Sequence, residues 1–213
     1  RGGGGGARGG GVGARGVDIA SRRDELLVVA ARRGWRGRRR LRRRAPRRHV
    51  IIVVVHERQE LRGVDHLLVQ VAGDRARVDG IIPEGVDPHL YAATTNDVKA
   101  LRNGDVIFYN GLNLEGKMAG VLAKMAVRKP VCALAEVIDG VGEYSIKASG
   151  NEVDPHIWMD VAGWMRALEV VSNTLEDYDP SFGSYYRERA DSYVGTLRRL
   201  DDLSLIHISE PTR

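Results

Sequence analysis

Cysteine is almost absent from this sequence, since Cys132 is the single one in 213 residues. One cysteine excludes an intrachain disulfide and a zinc cluster built from cysteine ligands. Because Cys132 lies in the apolar run PVCALA at residues 130–135, we predict that it is a small buried hydrophobic side chain rather than a reactive thiol.

Long apolar runs are also missing. No stretch of about 18 apolar residues occurs, so the sequence predicts no transmembrane helix. The first residues are rich in Gly and Arg and lack the apolar segment and small-residue cleavage site of a secretory signal. An exported protein needs such a signal, so we expect either that the natural start lies upstream or that the protein is not exported.

Lysine does not occur before Lys99, and all earlier cationic side chains are Arg, apart from His. Residues 1–50 contain 16 Arg and carry a formal charge of +13, which leaves −8 for the rest of a chain whose net charge is +5. We interpret residues 1–49 as a disordered Gly/Arg-rich tail. Its Arg/Gly bias is what GC-rich DNA gives when it is translated, in the right frame or a wrong one. The alternative is an arm that binds nucleic acid through phosphate contacts, although Trp35 is its only aromatic residue.

After the tail, segments with the apolar pattern of a strand alternate with segments that have the apolar spacing of a helix. Short β-branched or apolar runs predict buried strands at residues 50–55, 77–82, 105–109 and 131–137. Helical spacing and capping residues predict helices at residues 63–70, 95–103, 114–127, 155–178 and 180–202. Thr95 or Asn96 is the expected N-cap of the second helix, and Asn110-Gly111 is a turn that needs left-handed backbone. Strands that alternate with helices indicate an α/β fold with a parallel sheet flanked by helices.

Two of the six His residues occur in the same tripeptide, Asp-Pro-His, at residues 87–89 and 154–156. Both tripeptides fall in loops, where parallel α/β proteins bind their ligands. Proline restricts the local backbone, neutral imidazole is a common metal ligand, and a nearby Asp can hold the other ring nitrogen. On spacing alone, two unrelated turns with exposed His residues remain an alternative, and two His residues do not fill a tetrahedral shell.

Five segments, taken in order, carry a resemblance to a known family. They are GVDPHLY at 85–91, DV at 97–98, DVIFYNG at 105–111, LE at 114–115 and DPHIWMD at 154–160. As an ordered set they resemble the metal-binding substrate-binding proteins of manganese, zinc and iron ABC transporters. The resemblance covers residues 73–202, about 60% of the chain.

The resemblance implies two α/β lobes joined by one long rigid helix, with the metal between the lobes. His89 and His156 match the two His ligands of the first lobe, and the second lobe supplies a His or Glu and an Asp. The implied function is capture of Zn, Mn or Fe outside the cytoplasmic membrane, by a periplasmic or lipid-anchored protein that delivers the ion to an ABC permease. We expect a monomer with no organic cofactor, no nucleic-acid partner and no enzymatic activity.

The same resemblance divides the chain. Residues 50–179 are expected to form the metal-binding lobe and residues 180–202 the start of the helix between the lobes. The lobe without its partner is expected to expose the apolar face that meets the second lobe. Residues 203–213 resemble the conceptual translation of a sequencing-library adapter, and we interpret them as an artefact, which removes His207 as a ligand.

Upstream, the sequence RQELR at residues 58–62 stands where the family has a Thr-rich turn. We interpret this difference as a frameshift before Val69. His49, His56 and His66 are therefore expected to be surface residues or products of off-frame translation.

Other residues of the matched segments have plainer interpretations. Glu115 and Asp160 are predicted to be solvated acids rather than partners of the metal-binding His residues. Trp158 and Trp164 are predicted to pack in the core or on the face of the lobe.

Two further functions remain alternatives. A metal-dependent hydrolase would use His89 and His156 with a third ligand and a bound water, and Asp87 or Asp154 as general base. A nucleic-acid-binding protein would act through the Arg-rich arm. Against an enzyme, the sequence has no recognisable nucleophile–base pair and no phosphate-binding loop.

Overall fold

The computed structural model describes residues 49–53, 63–83, 85–139, 144–146, 148–149 and 152–209. The predicted tail over residues 1–48, His56 and the segment 58–62 lie outside the described residues. In the part of the chain that is described, no helix has the length and apolar character needed to cross a bilayer.

A four-stranded parallel sheet lies at the centre of the fold, with the strand order β2-β1-β3-β4. The strands are β1 (His49–Val53), β2 (Ala76–Gly80), β3 (Val106–Tyr109) and β4 (Val131–Ala133). Ile51 of β1 pairs with Val78 of β2 on one side and with Val106 of β3 on the other. β-branched and aromatic residues favour such half- or fully buried strands. The predicted α/β fold with a parallel sheet is confirmed.

The helices are α1 (Val64–Ala72), α2 (Thr95–Asn103), α3 (Ala119–Ala126), α4 (Leu134–Ile138), α5 (Val161–Tyr178) and α6 (Gly183–Ser209). The prediction of a strand over residues 131–137 was wrong in its second half, which forms α4. Short apolar runs do not distinguish a buried strand from a buried helical turn. α6 continues to Ser209, beyond the predicted end at residue 202.

One N-cap and two helix starts differ from the predictions. The N-cap of α2 is Thr94, and its hydroxyl accepts from the Asp97 backbone N–H in a reciprocal capping box. The helix predicted from residue 114 begins only at Ala119, after a 3₁₀ turn. The helix predicted from residue 155 begins at Val161, because the Asp160 carboxylate caps it by accepting from the backbone N–H of its second residue.

Apolar side chains on the two faces of the sheet form two cores. Val106 and Phe108 face the core that α1, α5 and α6 cover, whereas Ile107 between them faces the core that α2 and α3 cover. This alternation follows from the period of two along a strand. Trp164 is buried in the first core and Trp158 packs against both cores, which confirms the predicted packing roles.

Cys132 is the middle residue of β4 and is buried, as predicted. Burial raises the pKa of its thiol to about 12, because an apolar environment disfavours the thiolate. The group is therefore a packing residue and not a nucleophile at neutral pH.

α6 is attached to α1 by polar side chains. His66 Nε2 lies 2.9 Å from the Tyr193 hydroxyl, Arg189 Nε donates to the Gln70 carbonyl at 2.7 Å, and Tyr185 donates to Asp74 at 2.7 Å. The expectation of an exposed His66 was wrong, since only 8% of its surface is exposed. Burial lowers the pKa of His66, although the charge of Asp65 opposes this effect. The side chains of His49 and His207 are not described.

A short antiparallel hairpin precedes the second Asp-Pro-His tripeptide. It joins β5 (Ala148–Ser149) to β6 (Glu152–Val153). Residues 140–143, 147 and 150–151 lie outside the described residues. Asp154, the first residue of the second tripeptide, directly follows β6.

Candidate metal-binding site

His89 and His156 lie side by side, although they belong to different loops. His89 is in the loop between β2 and α2, and His156 follows β6. The ring centroids are 6.0 Å apart, with an interplanar angle of 62°. β2 and β3 are both parallel to β1, so their carboxyl ends lie at one edge of the sheet, where α/β proteins bind ligands. His89 follows β2, and Pro155, the residue before His156, accepts a hydrogen bond from Asn110 at the end of β3. The fold therefore brings the two predicted ligands together.

The two Asp-Pro-His tripeptides adopt the same local structure. The backbone N–H of His89 donates to Asp87 Oδ1 at 2.9 Å, and that of His156 donates to Asp154 Oδ1 at 3.0 Å. These are Asx turns, in which an Asp side chain binds the backbone two residues later. The intervening proline restricts the backbone in each turn. The repeated sequence thus restrains the backbone of His89 and of His156 in the same way.

Asp154 also holds the His156 ring, because its Oδ1 lies 2.5 Å from His156 Nδ1. Hydrogen bonds from the His156 backbone N–H and then from its ring lower the pKa of Asp154. A carboxylate is an acceptor, so Nδ1 is the donor in this contact and Nε2 is the ring nitrogen left for a metal. This is the tautomer in which a carboxylate-supported His binds a metal. The prediction that a neighbouring Asp supports a ligand ring agrees with this geometry.

The two rings are close enough for both to reach one ion. A His nitrogen binds zinc at about 2.0 to 2.1 Å, and the two ring centroids are 6.0 Å apart. Trp158 contacts His156 edge to face, with 5.0 Å between ring centroids. Among the described residues, no group of three His, Cys, Asp or Glu side chains is placed to hold a metal ion. The described site therefore offers two imidazoles and no more.

The loop that carries His89 is held against the start of α2. The Tyr91 hydroxyl donates to Asp97 Oδ2 at 2.6 Å, and the Thr94 backbone N–H donates to the same oxygen at 2.7 Å. The bond to Asp97 is the main reason that the pKa of Tyr91 rises to about 12. The pKa of Asp97 is lowered, because these hydrogen bonds outweigh the opposing effect of burial. The capping box of α2 thus also anchors the His89 loop.

Glu115 contradicts its prediction as a solvated acid. It is 2% exposed, and its carboxylate accepts from the backbone N–H groups of Asn110 at 2.8 Å and Gly111 at 3.1 Å. A signal was present in the sequence, because Glu115 directly follows Leu114 and stands three residues before Met118, both fully buried. Asp160, in contrast, is exposed as predicted.

Asn110 is the residue near the site that sequence reasoning treated only as part of a turn. The turn exists, because Gly111 has a φ of 91° and the next two residues also have positive φ. Asn110 itself is fully buried, and its side-chain amide donates to the Pro155 carbonyl at 2.8 Å. An Asn that directly follows an apolar strand was the only sequence signal for it.

Large apolar side chains in both His loops face solvent. Val86 is 40% exposed, Leu90 64% and Met159 79%. The expected apolar face toward a second lobe stays a prediction. Isolated exposed apolar residues are common, but these three accompany the two metal-ligand candidates.

Known proteins identify the family of this chain. A family model described as ZnuA, zinc-uptake complex component A, periplasmic, matches residues 64–204. The chain belongs to this family. The manganese-binding lipoprotein MntA of Bacillus subtilis (strain 168) is 34% identical over 146 residues, which are 67% of this chain and 47% of MntA. The zinc-binding protein TroA of Treponema pallidum (strain Nichols) is 37% identical over 131 residues, 62% of this chain and 42% of TroA.

The solved structure of the periplasmic zinc-binding protein TroA from Treponema pallidum has the same fold. The TM-score is 0.62 at 32% identity, over 72% of this chain and 52% of the TroA chain. This chain spans about half the length of the ZnuA-family relatives that it matches. The match confirms the predicted likeness to one lobe of a two-lobe metal-receptor fold. Two further relatives, SloC of Streptococcus mutans and ScbA of Streptococcus cristatus, are described as metal ABC transporter substrate-binding lipoproteins.

Proposed function

We propose that His89 and His156 are metal ligands in the first lobe of a receptor protein that supplies a divalent metal ion to an ABC importer. The observation that carries this proposal is the convergence of the two rings from separate loops at 6.0 Å, each on its own Asx turn. One of them also has the tautomer that exposes Nε2.

The transported ion is Zn, Mn or Fe. Imidazole suits all three, and the relatives MntA and TroA are described as manganese-binding and zinc-binding. The choice among them depends on the ligand set contributed by the second lobe, because ligand type and geometry decide selectivity.

The whole receptor acts outside the cytoplasmic membrane, in the periplasm or on a lipid anchor. It passes the ion to a membrane permease that is driven by an ATPase, and it acts as a monomer. α6 forms the start of the helix between the lobes. The run of α6 from Gly183 to the predicted end of the linking helix at Asp202 and its side-chain bonds to α1 support this role. Residues 50–179 form the metal-binding lobe.

Zinc titration of the full chain and of His89→Ala and His156→Ala tests the proposal. Each variant is expected to lower the Zn²⁺ affinity measured by calorimetry by at least about tenfold, since even the groups that support a ligand are commonly worth that much. In the wild-type protein, Zn²⁺ should shift the NMR ring signals of both His residues.

His66→Gln is the matched control, because His66 is a buried His in contact with Tyr193 rather than with the site. It should retain the wild-type affinity if far-UV circular dichroism shows a folded protein. Unchanged Zn²⁺ binding in either His89→Ala or His156→Ala would contradict the proposal.

A further inference from the structure

We infer that Asn110 is a positioning residue for His156, and this inference rests on the proposed function of His156 as a metal ligand. Asn110 stands at the end of β3, and His156 follows the hairpin many residues later. The link between them is the hydrogen bond from Asn110 Nδ2 to the Pro155 carbonyl, at 2.8 Å. Pro155 directly precedes His156, so this bond restrains the peptide unit that carries the ligand.

The Pro155 carbonyl is itself part of a tight turn. It accepts a second hydrogen bond, from the Ile157 backbone N–H at 2.8 Å. His156 thus lies between Pro155, whose carbonyl oxygen accepts both hydrogen bonds, and Ile157, whose N–H donates one of them. The other donor, Asn110, links this oxygen to the end of β3. Asp154 restrains the ring of His156 separately. The backbone and the ring of one ligand therefore have different supports.

Asn110 is fixed well enough to act as such a support. Its backbone N–H donates to Glu115 at 2.8 Å, and its carbonyl accepts from the Ala135 N–H at 2.8 Å. The next three residues have positive φ, at 91° for Gly111, 49° for Leu112 and 63° for Asn113. Non-glycine residues adopt this conformation only at a cost. The Glu115 carboxylate, which binds the N–H groups of both Asn110 and Gly111, holds this turn.

A simple turn residue would not need a buried amide. Asn110 is 0% exposed, and its Oδ1 has no hydrogen-bond partner among the described residues. Burying a polar atom without a partner is unfavourable, whereas an apolar side chain would fill the same space without that cost. The Nδ2 group makes the bonds that distinguish Asn here, one to the adjacent Gly111 carbonyl at 3.2 Å and one across the fold to Pro155.

Two substitutions remove this donor from the full chain. Asn110→Ala deletes the amide, and Asn110→Asp keeps its size but replaces the N–H donor by an acceptor. Both are expected to weaken Zn²⁺ binding by about tenfold, the lower end of the range for groups that orient a metal ligand. In the metal-free protein, both should shift or broaden the NMR ring signals of His156 and leave those of His66 unchanged.

Leu175→Ala is the control for loss of stability alone. Leu175 is buried near the far end of α5, and its truncation should destabilise the fold without changing the Zn²⁺ affinity or the His156 signals. A double-mutant cycle with His156→Ala completes the test. If Asn110 acts through His156, Asn110→Ala should cause no further loss of affinity in that background.

The outcomes separate this inference from the proposed function. Wild-type affinity and unchanged His156 signals in both Asn110 variants would overturn the positioning role while leaving the metal site intact. A loss that Leu175→Ala reproduces, or one that persists in the His156→Ala background, would overturn it as well. If His156→Ala itself binds Zn²⁺ normally, the proposed function fails, and the NMR signals of the metal-free variants still decide whether Asn110 positions His156.

Discussion

Glu115 is the most deeply buried acid near the site, with 2% of its surface exposed. Burial raises the pKa of its carboxyl to about 7, although the hydrogen bonds from the backbone N–H groups of Asn110 and Gly111 oppose this rise. A carboxyl with a raised pKa binds its proton more tightly in the folded than in the unfolded chain. Its protonation therefore stabilises the fold.

The pH dependence of stability follows from this shift. The contribution of Glu115 is fully present below its unfolded pKa of about 4.5 and is lost as the pH rises through about 7. We expect the free energy of unfolding to fall by on the order of 3 kcal/mol across this window from Glu115 alone, at about 1.4 kcal/mol for each pKa unit. Urea denaturation at pH 4.5, 6 and 8 measures it.

Glu115→Gln should remove this part of the slope, because Gln does not titrate. Glu188→Gln is the matched control, since Glu188 is exposed on α6 and its substitution should leave the slope unchanged. A slope that is the same in wild type and Glu115→Gln would show that the carboxyl does not titrate in this window.

At the scale of elements, α2 has both ends satisfied by side chains. Thr94 and Asp97 close its start, and the Lys129 ammonium group donates to three carbonyl oxygens at its end. These belong to Leu101 at 2.9 Å, Arg102 at 2.8 Å and Gly104. The last carbonyls of a helix have no partner within it, and a cation there is favourable. Lys129 thereby links α2 to the start of β4.

Lys129→Met should destabilise the fold by about 1 to 3 kcal/mol, the range for hydrogen bonds that involve a charged group. Burial lowers the pKa of Lys129, but its three acceptors favour the charged form. Lys124→Met on α3 is the control, because Lys124 is exposed, and its substitution should change stability little. Equal thermal denaturation midpoints for the two variants would argue against a capping role for Lys129.

At the scale of the whole molecule, the described site contributes two imidazoles and no third acidic, His or Cys ligand. A site with two imidazole nitrogens and no other fixed protein ligand should follow the general order in which divalent metals prefer nitrogen ligands. We expect Zn²⁺ to bind this chain more tightly than Co²⁺, and Co²⁺ more tightly than Mn²⁺. Competition titrations at pH 7 measure the order. Nanomolar binding with a preference for Mn²⁺ would contradict it.

The sheet and helices were largely predictable because their apolar periods are local. The strand at residues 105–109 and the helix at 95–103 match β3 and α2 closely. The misassigned second half of the segment 131–137 and the late starts of α3 and α5 have one cause. Apolar runs near a loop fit a strand, a 3₁₀ turn or a helix equally well, and caps such as Asp160 decide among them.

The sequence by itself determined the two Asp-Pro-His turns, because an Asx turn is made within three residues. The sequence thereby identified His89 and His156 as candidate metal ligands. Only the tertiary structure decided that the two rings meet at 6.0 Å. His89 follows β2 of the parallel sheet, whereas His156 follows the hairpin and is held near the end of β3 by the hydrogen bond from Asn110 to the Pro155 carbonyl. The roles of Asn110 and Glu115 also needed the fold. A polar residue after a strand is exposed or buried according to what packs over it. Asn110 binds the distant Pro155 carbonyl, and Glu115 binds the backbone N–H groups of the turn, so both roles depend on the folded chain.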